Sequence, residues 1–210
     1  SEMCIRDRMR EDVGRQKQEA GSILRELSKR EKQACEELSQ LKAGNKAYPK
    51  NLENARAYIK RRLLEECKRS VEVHVLSDLL DIRNDEWRNA VEGYLAGSKL
   101  SLVVAPAYAK TAMEIYGELD RREYWNVAVL DTEKASKAAP PIFENALSKE
   151  VEVREDYLRP FIDMLLGKVI KCRGIEELRK NRTGITPDCM LYRNYRLQYI
   201  NPDHYTKWAY

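Results

Sequence analysis

Apolar residues recur at every seventh position in the first part of the chain, and this repeat restricts that part to a helix. They are Val13, Ala20, Leu27, Ala34 and Leu41. The companion positions, four residues further on, are only half apolar: Lys17, Leu24, Glu31 and Leu38. The pattern predicts a two-stranded coiled-coil arm over residues 9–48, and a single solvated amphipathic helix is the alternative.

The opening residues differ in origin from the rest of this arm. The sequence "SEMCIRDRM" resembles translated sequencing-adaptor sequence of the kind that contaminates assembled reads. We therefore interpret residues 1–8 as an artefact, and we expect the native sequence to begin near Met9.

The pattern changes after "KAGNKAYP", residues 42–49, where Gly44, Asn45 and Pro49 interrupt the heptads. Helical and strand-like runs then alternate, which predicts an α/β domain over residues 49–210. The predicted strands are "VEVHVL", "KLSLVVA", "YWNVAVL", "KEVEV", "KVIKC", "ITPDCMLY" and "YRLQYI". The predicted helices lie around Leu52 to Leu63, Trp87 to Leu95, "YAKTAMEIYGEL", Tyr157 to Leu166 and Ile175 to Lys180.

Composition limits the chain to one ordinary globular core and a reducing compartment. At 210 residues and 43% hydrophobic content, one core is expected. The five cysteines are scattered without a CxxC pair, so reduced thiols are expected and no metal site. No apolar run is long enough for a membrane span or a signal peptide, which favours a soluble cytoplasmic protein.

Motifs for catalysis are absent from the sequence. Gly97 follows a predicted helix and precedes a strand, so it is expected to cap that helix instead of cradling a phosphate. The phosphate-binding pattern GxxxxGK[ST] does not occur. The alternative function is catalytic: a metal-dependent nucleic-acid phosphotransferase or nuclease that uses Asp78, Asp81 and Asp85. Such an acidic cluster is more often a solvated helix end.

Basic residues concentrate between Lys168 and Arg196, where eight of them stand against three acidic residues, while the whole chain has a net charge of only +4. Such a stretch predicts weak contact with DNA phosphates without sequence preference, and an ordinary solvated surface is the alternative. The candidate DNA-binding residues are Lys168, Lys171, Arg173, Lys180, Arg182, Arg193 and Arg196.

Three segments together resemble the hinge region of an SMC-like ATPase. They are "NDEWRNAVEGYLAGSKLSLVVAPAYAKTAMEIY", "VEVREDYLRPFIDMLLGKVIKCRGIEELR" and "GITPDCMLYRNYRLQYINPDHY". The resemblance covers residues 52–210 and is greatest to the MukB-like branch, in particular to the JetC subunit of Wadjet plasmid-defence systems. One departure stands in the turn before the last hairpin, where Asp-Gly-Met is expected and the chain has Asp188, Cys189 and Met190.

The resemblance implies a compact mixed-sheet hinge-like domain behind a coiled-coil helix, as one piece of a larger DNA motor. The hinge would join two copies and take no part in catalysis. ATP and magnesium would belong to head domains outside this segment, and kleisin-type and nuclease subunits would bind outside it as well. Location in the cytoplasm at the nucleoid, in plasmid defence or chromosome organisation, is implied too.

The last strands are the expected dimer interface. They form the end of the predicted sheet and are rich in apolar and aromatic residues, so a bare edge there would invite aggregation. The alternative is that this hairpin folds onto its own core near Trp87. The candidate interface residues are Met190, Tyr192, Tyr195, Leu197 and Tyr199.

Overall fold

The structure, a computed structural model, describes residues 2–42 and 47–206. Its contacts divide the chain into two units, residues 1–47 and residues 48–210. The first unit consists of helix α1, Glu2–Lys42. The predicted break at Gly44 and Asn45 lies outside the described residues, as do residues 207–210 at the carboxyl end.

Helix α1 carries the heptad repeat on a surface open to solvent. Val13, Leu24, Leu27 and Leu38 are each more than half exposed, whereas Leu41 lies outside the described side chains. The predicted helix is confirmed. Its pairing into a coiled coil, and the adaptor origin of residues 1–8, stay predictions.

The second unit begins with a helical layer and two small sheets. Helix α2 spans Lys50–Cys67 and buries the four residues predicted from their spacing, Leu52, Ala55, Ile59 and Leu63. The next elements are β1, His74–Val75; β2, Leu80–Ile82; α3, Arg88–Leu95; β3, Leu102–Val103; and α4, Ala109–Tyr116. Strands β1 and β3 pair antiparallel. Together with α2 and α4, they enclose one core cluster.

Most of the later elements contribute to a second core cluster that includes α3. Two short helices, α5 at Arg121–Tyr124 and α6 at Thr132–Ala135, lead to β4, Val151–Val153, which pairs antiparallel with β2. The later elements are α7, Arg159–Leu166; β5, Ile170–Lys171; α8, Ile175–Arg179; β6, Thr183–Ile185; β7, Met190–Arg193; β8, Arg196–Tyr199; and α9, Asp203–Thr206. The predicted mixed α/β fold is confirmed.

The sheet formed by the last four strands positions the candidate interface. Its order is β5-β6-β7-β8, with β5 and β6 parallel and the other neighbours antiparallel. Ile185 and Leu191 point from this sheet into the core that also holds Trp87 and Ile162. Strand β8 forms the outer edge, and its four residues are all exposed.

Three local predictions are wrong, each for a reason in the backbone. "YWNVAVL" forms no strand, because Tyr124 ends α5 and only Val129 makes a single bridge, to Leu102. "ITPDCMLY" is two strands separated by a turn. Gly97 does not cap α3; Ala96, one residue earlier, takes that place with φ +47°.

Candidate dimerisation and nucleic-acid surface

The β7–β8 hairpin is closed by a two-residue turn with left-handed backbone. Asn194 and Tyr195 have φ values of +52° and +62°. Positive φ at both central residues is the type I′ turn, whose twist matches that of the flanking strands. Asparagine tolerates this region of backbone space, but tyrosine rarely adopts it, and Tyr195 is 94% exposed at the tip.

The outer edge of β8 offers unpaired backbone groups. Arg193 faces Arg196 across the hairpin, next to the turn. In a two-residue hairpin this flanking pair exchanges hydrogen bonds, so the N–H and C=O groups of Leu197 and Tyr199 point away from β7. Strand β8 can therefore accept another strand along this edge.

Four of the five candidate interface residues share one face of the hairpin. Met190 lies opposite Tyr199, and Tyr192 lies opposite Leu197, so all four side chains project to the same side. Leu197 is 46% exposed and Tyr199 69% exposed, while Met190 and Tyr192 are half-buried. The alternative is a hairpin folded onto its own core. Gly184 and Ile185 of β6 and Leu191 of β7 are buried, whereas the four residues of β8 are exposed.

The turn before β7 keeps a tight geometry although glycine is missing. Cys189 is buried and has φ +64°, a left-handed conformation. Its N–H donates to the carbonyl of Thr186 at 3.0 Å, and the N–H of Met190 donates to Thr186 Oγ1 at 3.0 Å. Burial, reinforced by the charge of Asp188, raises the pKa of the Cys189 thiol to about 11. The thiol is thus a packed neutral group.

Lys171 and Arg173, two of the candidate DNA-binding residues, each pair with a carboxylate of the same domain. Lys171 Nζ lies 2.5 Å from Glu150 Oε1, and both side chains are largely buried. The Arg173 guanidinium binds Glu86, and this bond holds the pKa of the Glu86 carboxyl below its ordinary value. Both cations also lie over the ring of Trp87, at 5.6 and 5.2 Å from its centre. Their charges are already matched by carboxylates.

The other five candidate basic residues are exposed. Lys180 forms a loose pair with Glu176 at 3.4 Å on the surface of α8. In the part of the chain that the structure describes, the remaining four form no ion pair: Lys168, Arg182, Arg193 and Arg196. The structure thus separates the basic segment into matched and unmatched charges.

The three aspartates of the nuclease alternative are held by different partners. Tyr48 donates its hydroxyl to Asp78 at 2.6 Å, Arg154 pairs with Asp81 at 3.0 Å, and Arg88 pairs with Asp85 at 2.9 Å. Within residues 2–42 and 47–206, no three carboxylate, imidazole or thiol groups converge as a metal site requires. The arrangement does not support the nuclease alternative.

A buried ion pair that sequence reasoning missed anchors the end of the domain. Lys99 Nζ lies 2.7 Å from Glu92 Oε2, and both side chains are at least 94% buried. The same ammonium donates to the carbonyl oxygen of His204 at 2.7 Å. The only sequence signal was a lysine between an apolar helix face and a buried strand.

Comparison with known proteins yields structural relatives only. No family model and no curated protein matches this chain. An asymmetric dimer of the Geobacillus stearothermophilus SMC hinge domain is similar to it with a TM-score of 0.52 and 19% identity, over 83% of this chain and 73% of that one. A structure of the folded elbow of cohesin gives 0.51 and 18%, over 72% of this chain and 23% of that one.

A Pyrococcus furiosus Smc hinge domain with an extended coiled coil is also similar, with a TM-score of 0.47 and 20% identity, over 82% of this chain and 65% of that one. A separate finding concerns membranes: in the described ranges, no helix is long and apolar enough to cross one. At these identities the likeness to the Geobacillus hinge identifies a fold. This chain has the fold of an SMC hinge domain.

Proposed function

We propose that this chain is the dimerisation hinge, with one arm, of an SMC-like ATP-driven DNA motor. The observation that carries the proposal is strand β8, an exposed edge with outward backbone groups and an apolar, aromatic face. The hinge domain of similar fold from Geobacillus was solved as a dimer. That dimer supports a second copy of this chain as the occupant of the β8 edge.

Pairing of the edge with a second copy satisfies both kinds of exposed group at once. A partner strand accepts and donates the hydrogen bonds of Leu197 and Tyr199, and its side chains cover the aromatic face. Tyrosine is enriched at protein interfaces because its ring is apolar and its hydroxyl stays hydrogen-bonded. Tyr195 adds a further exposed aromatic ring at the tip of the hairpin.

The hinge itself carries no catalysis in this proposal. ATP and magnesium act at head domains of the parent protein, and kleisin-type and nuclease subunits bind to parts other than the hinge. The hinge contributes the joint between two arms and a weak, sequence-independent contact with double-stranded DNA through its basic segment.

The finer assignment rests on the sequence resemblance over residues 52–210. It places the parent in the MukB-like branch, near the JetC subunit of Wadjet systems, and in the cytoplasm at the nucleoid. Plasmid defence and chromosome organisation are the two roles this leaves open. The genes that flank the coding sequence distinguish them, because a defence system carries its nuclease gene beside the motor gene.

The interface is tested by placing a charge on the exposed face of β8. Leu197→Asp and Tyr199→Asp put an unpaired carboxylate into the proposed interface, where its desolvation opposes association. Because both residues are exposed within one chain, the variants keep their fold. Sedimentation velocity is expected to change from a dimer to a folded monomer.

Trp125→Asp serves as the matched control, since Trp125 is a 78% exposed apolar residue outside the hairpin. The control is expected to sediment as the parent does. If Leu197→Asp remains dimeric, or if Trp125→Asp dissociates the dimer as strongly, the β8 interface is wrong.

A further inference from the structure

The four unmatched basic residues lie at one end of the four-stranded sheet. Ile170 of β5 is level with Gly184 of β6, so Lys168, two residues before Ile170, is level with Arg182. Thr183 lies opposite Arg193, and Arg193 lies opposite Arg196. The backbones of these residues therefore lie across the strand ends at one end of the sheet, and the four are here named the arginine row: Lys168, Arg182, Arg193 and Arg196.

The outer part of the arginine row contains two like charges that face each other. Arg193 and Arg196 are direct cross-strand neighbours, and like charges in this position repel. Within the described residues neither has an ion pair. The hairpin thus places two cationic residues opposite each other, and an anion bound between them would offset their repulsion.

A shallow cleft lies between these two arginines. Its lining consists of the apolar Leu191, the amides Asn194 and Gln198, and the two arginines. Arg193 also lies over the ring of Tyr94, 5.9 Å from its centre, which restricts its side chain. Two guanidinium groups and two amides present many N–H donors and suit a tetrahedral oxyanion.

We propose that the arginine row binds the phosphate backbone of double-stranded DNA, with one phosphate held between Arg193 and Arg196. This inference rests on the proposed DNA contact of the hinge and assigns it to particular residues. Lys171 and Arg173 are excluded from the contact, because Glu150 and Glu86 already match their charges. Lys180, beside Glu176, contributes little.

The dimensions of the row favour a nucleic-acid backbone over a single carboxylate. Neighbouring strands lie about 4.8 Å apart, so four strand ends span about 14 Å. A DNA strand carries one charge for about every 3.4 Å of helix axis, so several phosphates fall within this length. An isolated carboxylate would engage one or two of the four cations and leave the others unmatched.

The test is the salt dependence of DNA binding by the whole chain and its double variant Arg193→Gln/Arg196→Gln. The probe is a fluorescent duplex of random sequence, followed by anisotropy. Each phosphate contact contributes about 0.9 to the slope of log K against log salt, so the variant, which loses the one phosphate held between the two arginines, is expected to lose about 0.9 from that slope. The ratio of parent to variant affinity then falls roughly three- to fourfold between 50 and 200 mM salt.

A matched control removes two exposed arginines elsewhere. Arg121→Gln/Arg122→Gln on α5 changes the net charge equally, and it is expected to retain the parent slope. An equal loss of slope in both variants would overturn the proposal, because net charge alone would then explain the DNA binding.

Sedimentation separates this inference from the dimer proposal. The row variant is expected to stay dimeric while it loses DNA affinity. If it instead dissociates into monomers and binds DNA as the parent does, the cleft accepts a carboxylate of the second copy, and the proposal is wrong. If the row variant stays dimeric and binds DNA as the parent does, the proposed DNA contact of the arginine row is wrong, and the proposed dimerisation hinge is unaffected.

Discussion

At the scale of single residues, Cys189 combines a buried side chain with a left-handed backbone conformation that is unfavourable for a residue with a Cβ. A left-handed conformation costs a residue with a Cβ roughly 1 to 2 kcal/mol relative to glycine. The chain accepts this cost at φ +64° because the side chain is buried in the core and Thr186 holds the turn. The tight turn implied by the SMC hinge resemblance is thus present without its glycine.

We expect Cys189→Gly to be more stable than Cys189→Ala by about 1 kcal/mol, because both lose the thiol but only glycine relieves the backbone. Urea unfolding of both variants measures the difference. Cys172 is the control: it is buried and its φ is negative, so there the alanine variant should be the more stable by about 0.5 to 1 kcal/mol. If the glycine variant is more stable than the alanine variant at both positions, or less stable at both, backbone strain at Cys189 is contradicted.

Residue spacing predicted which side chains share a face of the sheet. It did not predict which basic residues form ion pairs with carboxylates. The alternation in "YRLQYI" correctly placed Leu197 and Tyr199 together. The carboxylates that engage Lys171 and Arg173 are Glu150 and Glu86, which lie earlier in the chain. A count of charges along the segment Lys168 to Arg196 omits them, so the paired and unpaired cations were indistinguishable by sequence.

At the scale of elements, the buried pair of Lys99 and Glu92 ties the end of the domain to α3. Lys99 holds the His204 carbonyl of α9, and Tyr205 approaches Gly93 so closely that a Cβ there would lie 3.1 Å from the tyrosine ring. Helix α9 is only four residues long and could not form alone. Its position therefore depends on this ion pair and on the packing beside it.

Removal of one partner should be costly and removal of both much less so. Lys99→Met leaves the Glu92 carboxylate buried without its lysine, which is expected to cost about 3 to 5 kcal/mol of unfolding free energy. Glu92→Leu/Lys99→Met should recover most of that loss. Lys110→Met, which breaks an exposed pair with Glu114, should cost less than about 1 kcal/mol. Urea unfolding compares the three variants, and a double variant no better than Lys99→Met would contradict the account.

Long periodic helices were predictable and short strands were less so. The spacing of Leu52 to Leu63 gave α2 and its buried face correctly. Strands of two to four residues carry too few alternations to mark their ends, so "YWNVAVL" was taken for a strand where Val129 makes one bridge. Pairing with distant segments defines these strands, and the local pattern does not contain that information.

At the scale of the whole molecule, exposed apolar surfaces occur in both units. In α1 the heptad positions Val13, Leu24, Leu27 and Leu38 are exposed, and in the second unit the β8 edge is exposed. The heptad positions of α1 suit pairing with another helix, and the β8 edge suits pairing with another strand. The proposed hinge function requires the second surface to associate without help from the first.

Sedimentation equilibrium of the segment Tyr48–Tyr210, which lacks α1, tests this requirement directly. The segment is one compact unit, and it retains Tyr48, which bonds to Asp78. The account predicts a homodimer at tens of micromolar, with the dimer lost on Leu197→Asp. A folded segment that stays monomeric at that concentration would contradict the dimerisation hinge.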